Sequence, residues 1–489
     1  MQLLSKSSFM HFLDCPIRLW IEKTHPDLIP PISPSLQRIF DQGNEVDELA
    51  KHLYPDGVEI RGYNLEGHQN TLKAIAVGAK VLIQPTLVAD GLSAKGDFLV
   101  KGKFDAWDIY EEKGTTEVKS EHYKDVAFQK ICYARAGITI GRTNLIHLNN
   151  KYIRKGDIDV EKLFITEDIT DDVNDLLPEI ETRILEAKEI FNWKKELTTE
   201  QFLTCPDLKK KQCEYAGLWL NSLDKKKLES FLGDLPQEIV TKLIENEKFD
   251  ISRLSKKFLS SIPWKAPASR WPKHINQAAI HEDLQHLKYP LYFFDYETVN
   301  PALPPFDGLR PYQMTPFQFS LYIVDSPGAT PTTHDFLMDR FEDPRSNLID
   351  SLREWVGPTG SFISWNAPFE QGKNEDMAQA FPQHANFLRG INKRMFDLMV
   401  IFRKKWYVEP EFRGGWSIKT VMPVLVPDLS YKNLNIQEGG EASASWYILT
   451  DPKTPEDQRK QLYDDMIEYC RLDVFGMVKI LEHLQKISR

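Results

Sequence analysis

The chain has 489 residues, of which 42% are hydrophobic, and a formal net charge of −10. This length favours roughly two to four domains of an ordinary globular composition. The acidic balance excludes a global basic field for coating nucleic acid, but it is compatible with a site that gathers carboxylates around metal ions. Without a signal-peptide core or an apolar run of about 18 residues, we expect a cytoplasmic protein with no membrane span.

Residues 1–190 are predicted to form a first α/β domain in the order helix, several strands, helix, strand. Residues 81–120 contain three or four strand patterns separated by the turn signals "ADG", "KG" and "EKG". Residues 125–138 have a helical pattern that Gly137 ends, and residues 143–150 follow as a strand.

A candidate metal site lies in this domain. We predict that Glu117 and Lys119 end a strand, where two residues of spacing places them on one face. An aspartate on a neighbouring strand would complete a Mg²⁺ site, with the lysine stabilising a phosphate or helping to activate water. Asp97 and Asp105 are the alternatives, and Asp97 is preferred because a full strand separates it from Glu117.

The predicted helix that follows carries Gln129 and Tyr133, four residues apart on one face. An E-x-K followed by such a QxxxY helix resembles the PD-(D/E)XK nucleases of the RecB family, which have a restriction-endonuclease-like fold. The resemblance implies that Asp97, Glu117 and Lys119 are catalytic and that the two acids bind Mg²⁺ or Mn²⁺. It also implies that Gln129 and Tyr133 support the site or contact nucleic acid.

Five cysteines are too few, and odd in number, for a secreted disulfide framework. Some RecB-family exonucleases hold an iron–sulfur cluster with one cysteine near the N-terminus and three after the nuclease core. The resemblance implies that Cys15, Cys205 and Cys213 are three such ligands, and the expected fourth cysteine is absent. Inert buried thiols are the alternative, and Cys132 and Cys470 are predicted to be core residues.

Residues 191–285 are predicted to form lysine-rich helices and a Pro/Trp-rich linker, with the lysines on a solvated face. Residues 286–489 then alternate strands and helices, which predicts a second α/β domain. Its first strand, predicted at "YFFDYETV" (residues 292–299), places Asp295 and Glu297 on one face. Two buried carboxylates this close repel each other unless cations lie between them, so we expect a metal site.

Downstream acids complete this second candidate site. Glu370 lies in "WNAPFE", and Tyr469 and Asp473 in "YCRLD" share a helix face. Together with Asp295 and Glu297, these carboxylates would hold two divalent ions about 4 Å apart, the arrangement that clamps the attacking and leaving oxygens of a phosphodiester. Tyr469 would orient the attacking water.

The three motifs resemble those of DnaQ-like 3′–5′ exonucleases of the DEDDy type, which have an RNase H-like fold. The resemblance implies that Asp295, Glu297, Glu370 and Asp473 are the catalytic metal ligands and that Tyr469 acts beside them. Glu370 stands where the pattern usually has an aspartate.

Several further residues are secondary candidates. Asp397 resembles a position near the site in this superfamily, and Asn366 is a nucleic-acid-binding candidate beside Glu370. Lys419 follows a glycine loop that enters a helix, where it would meet a phosphate, although a structural cap is an equal alternative. Tyr312, Phe317 and Arg310 are candidates for stacking a terminal base, with a packed proline-rich loop as the alternative.

The whole chain resembles an uncharacterised bacterial family that joins a RecB-like half to a DnaQ-like half of the domain-of-unknown-function type. The resemblance implies a metal-dependent nuclease acting on nucleic acid ends, with single-stranded DNA or DNA ends as partner. We expect a 3′–5′ DNA exonuclease with a second nuclease module, in DNA repair, recombination or defence. The alternatives are an RNA 3′–5′ exonuclease and a nucleic-acid-binding scaffold with degenerate sites. The sequence does not identify protein partners.

Overall fold

A computed structural model describes residues 3–209 and 213–488, apart from the side chains of residues 207 and 209. The protein is mixed α/β with several mixed sheets, which confirms the predicted class. Among the described helices, none is both long enough and apolar enough to cross a bilayer. The chain divides into two compact units. The first comprises Met1–Ile32, Asp41–Tyr152 and Asp157–Lys265, and the second comprises Ser33–Phe40, Ile153–Gly156 and Ala266–Arg489.

The elements up to residue 265 include nine strands and twelve α-helices among the described residues. The strands are β1 Leu4–Ser5, β2 Val58–Glu59, β3 Val81–Ile83, β4 Thr86–Ala89, β5 Leu92–Lys95, β6 Phe98–Lys101, β7 Trp107–Lys113, β8 Ile140–Leu148 and β9 Phe164–Asp168. The helices are α1 Lys6–Asp14, α2 Pro16–Thr24, α3 Pro34–Ala50, α4 Asn64–Ala76, α5 Ser120–Arg135, α6 Val160–Leu163, α7 Thr170–Ile190, α8 Thr199–Leu203, α9 Glu214–Ser222, α10 Lys225–Gly233, α11 Gln237–Glu245 and α12 Lys256–Ser260.

The first unit is built on a six-stranded sheet of order β2-β3-β6-β7-β8-β9. Strands β6 and β7 form an antiparallel pair, whereas β7 and β8 are parallel because α5 connects them. The predicted helix at 125–138 and the strand at 143–150 are therefore present as parts of α5 and β8. A second sheet has the order β1-β5-β4.

One predicted strand end is wrong. Strand β7 stops at Lys113, so Glu117 lies in the bend that follows, and Lys119 is the N-cap residue of α5. Gly114 and the polar residues 115–117 favour a turn, and they end the strand before the second E-x-K.

The helices α8–α12 fall in the segment predicted to be lysine-rich and helical. This segment, up to Lys265, groups with the first unit, and residues 266–285 group with the second. Lysines 225–227 at the start of α10 are exposed, whereas Leu228 and Leu232 are buried, as expected of a solvated lysine face. The boundaries predicted at residues 190 and 286 stay predictions.

The elements from residue 266 onward include seven strands and nine helices among the described residues. The strands are β10 His274–Ile275, β11 Leu291–Val299, β12 Thr315–Val324, β13 Thr332–Leu337, β14 Ser361–Ser364, β15 Met395–Asp397 and β16 Tyr407–Val408. The helices are α13 Pro267–Arg270, α14 Gln277–Leu284, α15 Arg345–Trp355, α16 Ala367–Ala380, α17 Ala385–Asn392, α18 Val400–Arg403, α19 Ile418–Leu425, α20 Gly439–Thr450 and α21 Glu456–Ile487.

Strand β11 is the centre of a five-stranded sheet of order β13-β12-β11-β14-β15. It is antiparallel to β12 and parallel to β14. Alternation along β11 separates two cores: Tyr292, Phe294 and Tyr296 belong to one apolar cluster, and Leu291 and Phe293 to the other. The second cluster also includes the buried face of the 32-residue helix α21. This helix therefore covers the face of β11 that carries the odd-numbered residues.

Packing of α5 in the first unit gives a testable consequence. Phe128 is completely buried, and its ring stacks on Phe9 with centroids 4.8 Å apart. Phe128→Ala should lower the free energy of unfolding by about 3–5 kcal/mol, because the lost ring leaves a cavity. Urea denaturation, with hydrogen-exchange mass spectrometry of peptides from α5, measures this loss. The control is Phe104→Ala, since Phe104 is 99% exposed. Equal losses in the two variants would contradict the packing.

Candidate functional site

The acid pair on β11 lies side by side on one face of the central strand. Asp295 and Glu297 share the face that α21 covers, and Glu297 is only 7% exposed. The pairing of β11 with β12 is irregular between Glu297 and Thr298, where the antiparallel register shifts. The shift comes directly after the second acid, so the two acids remain in the regular part of the ladder.

Two helices bring the other predicted acids to this pair. Glu370 lies in the first turn of α16 and is 2% exposed, and the Ser364 hydroxyl donates a hydrogen bond of 2.6 Å to its Oε2. Asp473 and Tyr469 lie one turn apart on the buried face of α21. Electrostatic coupling joins Asp295 to Glu297, Glu370 and Asp473, so the structure brings the predicted set together.

The electrostatics of this set favour protons or cations. Burial raises the pKa of Glu370 to about 7 and that of Asp473 to about 6. For Asp295 the pKa is raised well above its usual range by burial, then by Glu370, Glu297 and Asp473. Burial and the charge of Asp473 likewise raise the pKa of Glu297. Because it is unfavourable to ionise all four acids at once, they are all ionised only when positive charge compensates them.

Tyr431 is a site residue that the sequence analysis missed. Its hydroxyl donates a hydrogen bond to Asp473, and its ring centroid lies 6.2 Å from that of Tyr469. Burial and Asp473 raise the pKa of the Tyr431 phenol, which keeps it protonated as a donor. Its motif, "LSYKNL", carries no periodic or charge signal that would have identified it.

Lys419 lies beside the same two rings, as its proposed role in the site requires. The Nζ of Lys419 is 5.4 Å from the ring centroids of both Tyr431 and Tyr469, and it donates a 2.6 Å hydrogen bond to the Gln437 carbonyl. Its charge favours the ionised forms of Glu297 and Asp473. A cation at this position partly compensates the negative charge of the acids.

The remaining sequence candidates divide into two groups. Asp397, at the end of β15, acts electrostatically on Glu370, and Asn366 is the exposed N-cap residue of α16. Phe317 is fully buried and its ring stacks on Trp446 at 5.2 Å. The prediction that Phe317 stacks a nucleic acid base is therefore wrong, since no face of its ring is accessible.

The donor set of the second unit fits hard divalent ions. Mg²⁺ and Mn²⁺ prefer carboxylate oxygens, and Asp295, Glu297, Glu370 and Asp473 supply them. The Cys470 thiol also lies close, because its sulfur and one oxygen each of Asp295 and Glu297 all fall within 4.8 Å of one another. Burial raises the pKa of Cys470 well above its usual range, so it remains a neutral neighbour of the acids.

A second buried cluster lies in the first unit, at the end of β7. Lys113 contacts Glu111 at 2.6 Å and Asp125 of α5 at 2.8 Å. The ammonium of Lys6 lies in hydrogen-bond contact with Glu111 and 3.5 Å from Asp125. Asp97, at the turn before β6, accepts a 2.7 Å hydrogen bond from the Glu112 backbone N–H.

Burial and neighbouring charges raise the pKa values of some groups in this cluster and lower those of others. Burial and the charge of Asp97 raise the pKa of Glu111 to about 7, and burial raises the pKa of Asp97. Burial acts in the same direction on Asp125, but Lys6 and Lys113 outweigh it and hold the pKa of that carboxyl below its usual range. The cluster therefore carries two internal ammonium groups, and it still leaves acids at Asp97 and Glu111 that a divalent ion would stabilise.

Gln129 and Tyr133 hold the turn that carries Asp97. A Cβ at Gly96 would lie 2.0 Å from Gln129 Nε2 and 2.9 Å from the Tyr133 hydroxyl, so both side chains pack directly on the glycine before Asp97. The Tyr133 hydroxyl also donates a 2.8 Å hydrogen bond to the Pro85 carbonyl. Gln129 and Tyr133, on one face of α5, therefore position the turn that carries Asp97.

The first unit contains an E-x-K that differs from the predicted one. Glu111 and Lys113 are two apart on β7 and enter the cluster with Asp97, whereas Glu117 and Lys119 are both exposed. Asp105 is also exposed and pairs with Lys101 at 2.5 Å. The signal that identifies Glu111 and Lys113 is the alternation of "WDIYEEK", which places both residues on one face of the strand adjoining "GDFLV".

Comparisons with known proteins find similarity to one family profile and to bacterial proteins described as uncharacterised. A family profile described as "Domain of unknown function (DUF2779)" matches residues 292–417. This range includes Asp295, Glu297 and Glu370 and stops before Lys419, Tyr469 and Asp473. Uncharacterised proteins of Ureaplasma parvum serovar 3 and Mycoplasma pneumoniae are 27% and 26% identical over 44% and 40% of this chain. The matches cover 34% and 32% of those proteins, so the chain spans about a third of the curated relatives it matches.

The raised pKa values predict how stability depends on pH when metal is absent. The pKa of Glu370 is about 7 in the folded protein against 4.5 for the free side chain, so the folded state binds the proton more tightly. Unfolding free energy should therefore fall as pH rises through this interval, from about 5 to about 7.5. Thermal denaturation in EDTA should show the decline, and Glu370→Gln should make it shallower, with the remainder due to acids such as Asp473 and Glu111, whose pKa values are also raised. Glu375→Gln, at an exposed acid paired with Arg389, is the control. An unchanged profile in Glu370→Gln would contradict the raised pKa.

Proposed function

We propose that the second unit is a metal-dependent nuclease that hydrolyses phosphodiester bonds at nucleic acid ends, acting 3′ to 5′ on DNA. The observation that carries the proposal is the convergence of Asp295, Glu297, Glu370 and Asp473 from one strand and two helices. Their raised pKa values indicate that the arrangement is costly without positive charge. Buried acids with raised pKa values occur chiefly at sites where they bind ions or take part in catalysis.

The acids would hold two Mg²⁺ or Mn²⁺ ions. When bound, such ions supply Lewis-acid stabilisation of phosphate oxygens and make water a better nucleophile. The side chains of the protein position the site. Asp295 and Glu297 fix it on the central strand β11, and Ser364 orients Glu370. The Tyr469 hydroxyl orients the attacking water, since burial raises the pKa of that phenol and keeps its proton in place.

Lys419 and Tyr431 complete this assignment. Lys419 is the positive side chain beside the acids, and it would meet the negative charge that grows on the phosphate during the reaction. Tyr431 is assigned as a positioning residue, because its hydroxyl donates a hydrogen bond to Asp473. The start of α20 borders the same acids: a Cβ at Gly439 would lie 3.8 Å from Glu297 Oε2. A glycine there leaves room for the sugar-phosphate end of a strand.

In the first unit we propose a second nuclease site, made by Asp97, Glu111 and Lys113. Asp97 and Glu111 would bind Mg²⁺ or Mn²⁺, and Lys113 would stabilise the charged phosphate. Gln129 and Tyr133 position Asp97 through Gly96. The exposed residues Glu117 and Lys119 have no part in this proposal.

Removing one acid of the second unit should abolish end degradation. We expect Asp295→Asn to slow Mn²⁺-dependent shortening of 5′-labelled single-stranded DNA by at least about 100-fold, since one metal ligand is lost. Asp325→Asn, at an exposed acid just beyond β12, is the matched control and should degrade DNA like the wild type. Product ladders on denaturing gels measure the rates, and 3′-labelled strands that release mononucleotides show the polarity.

RNA of the same sequence is assayed in parallel. Faster degradation of RNA than of DNA would replace the DNA assignment with an RNA exonuclease. If the wild type degrades neither polymer, Mn²⁺ titration by calorimetry separates the remaining readings. Binding without hydrolysis would indicate a nucleic-acid-binding scaffold with a degenerate site.

A matched pair of variants distinguishes the roles of the two E-x-K motifs in the first unit. In an Asp295→Asn background, Glu111→Gln should remove any remaining Mg²⁺- or Mn²⁺-dependent nuclease activity, because Glu111 lies in the cluster with Asp97 and Lys113. Glu117→Gln should leave that activity within about twofold, because exposed side chains away from a site are tolerant of substitution. The measurement is cleavage of double- and single-stranded DNA, and a loss confined to Glu117→Gln would overturn the corrected assignment.

A further inference from the structure

Three cysteine sulfurs meet in the core of the first unit. Cys15 Sγ lies 3.4 Å from Cys205 Sγ and 3.8 Å from Cys213 Sγ, and the third side of this triangle is 3.7 Å. The three residues are 5%, 2% and 3% exposed. No disulfide joins the described cysteines. Cys15 is 190 residues from Cys205 in the chain, so the triangle connects distant segments.

Two helix N-termini meet at the triangle, whereas the contacts with Cys205 and Cys213, and then burial, raise the pKa of Cys15 above its usual range. Cys15 is the N-cap residue of α2 and Cys213 is the N-cap residue of α9, both nine-residue helices. Helix N-termini carry partial positive charge and stabilise a thiolate. The Ala216 N–H of α9 donates a 3.4 Å hydrogen bond to Cys213 Sγ. Three ionised sulfurs at these distances repel one another strongly, and a cation between them removes the repulsion.

The size of the triangle fits one ion. Thiolates in a tetrahedral zinc site lie about 2.3 Å from the metal, which places neighbouring sulfurs about 3.8 Å apart. The sides of 3.4 to 3.8 Å match this spacing. An iron–sulfur cluster is a poorer fit, because its cysteines bind separate iron atoms, which the cluster itself holds apart, and four are required. The described residues supply three.

We infer that Cys15, Cys205 and Cys213 bind a single thiophilic divalent ion, Zn²⁺, as three protein thiolates of a tetrahedral site. Binding releases the thiol protons, because thiolates and not thiols are the ligands. The ion ties the α1–α2 corner to the start of α9 and closes a loop of almost 200 residues. Such a closure restricts the unfolded chain as a disulfide does, so the site acts as a structural clamp of the first unit.

Metal analysis of the full chain tests the clamp. The protein is purified with a tag that contains no histidine, reduced, and dialysed against excess Mg²⁺ to clear the carboxylate sites of other ions. We expect about one zinc ion per chain by plasma mass spectrometry. Cys15→Ser, Cys205→Ser and Cys213→Ser should each lose most of it and denature at lower temperature. Cys132→Ser, at a buried cysteine of α5 that hydrogen-bonds the Leu87 carbonyl, is the matched control and should keep the ion.

Wild-type protein alone provides a second measurement if a serine variant does not fold. Co²⁺ exchanged for Zn²⁺ should give the near-ultraviolet sulfur-to-cobalt charge-transfer band of thiolate ligation, and a mercurial that titrates thiols should release the metal. The inference is overturned if the wild type binds no Zn²⁺ or Co²⁺ through sulfur. It is equally overturned if the wild type holds iron with acid-labile sulfide, or if the triple serine variant retains its zinc.

Discussion

Repulsion between buried carboxylates is the constraint on which both units depend. In the first unit, Lys6 and Lys113 lie among the acids, and these two ammonium groups are enough to keep Asp125 ionised. In the second unit, Lys419 acts on Glu297 and Asp473 from beside two tyrosine rings, and all four acids keep raised pKa values. The acids of the second unit are therefore the ones that cations stabilise most, and the acids of the first unit are already partly neutralised by the chain itself.

The fold holds the repelling groups together by placing them on its most rigid elements. Strand β11 has neighbours on both sides, and its two faces pack into separate apolar cores. Helix α21 runs for 32 residues and buries one face along most of its length, so Tyr469 and Asp473 are fixed by many contacts on either side. In the first unit, the close approach of Gln129 and Tyr133 to Gly96 fixes the Asp97 turn in the same way. Apolar packing elsewhere in the chain therefore has to offset the repulsion between the acids for the site to remain assembled.

Sequence patterns predicted those parts of the structure that depend on neighbours along the chain. The alternation in "LYFFDYETV" and the helical spacing of Tyr469 and Asp473 each specify a face, and the structure places these residues on the faces expected. The wrong strand end at Glu117 arose because "EEK" and "EVK" both offer the same spacing, and only the turn at Gly114 and the packing of Asp125 choose between them. Tyr431 and Lys6 escaped prediction because they reach their acids through tertiary contacts with no local signature. The opposite error occurred at Phe317, because this aromatic side chain was predicted to stack on a base and packs in the core.

Position 370 holds glutamate where the resemblance to DEDDy exonucleases leads us to expect aspartate, and the surrounding contacts accommodate the longer side chain. Glu370 has one more methylene than aspartate, which would extend its carboxylate further into the cluster. The chain accommodates that length from the first turn of α16, where Ser364 at the end of β14 donates to one oxygen and Asp295 hydrogen-bonds the carboxyl. Both contacts come from neighbouring strands of the same sheet, so the carboxylate is held as firmly as the acid pair itself. A longer acid in a fixed position still presents an oxygen to the cluster, as the proposed metal site requires.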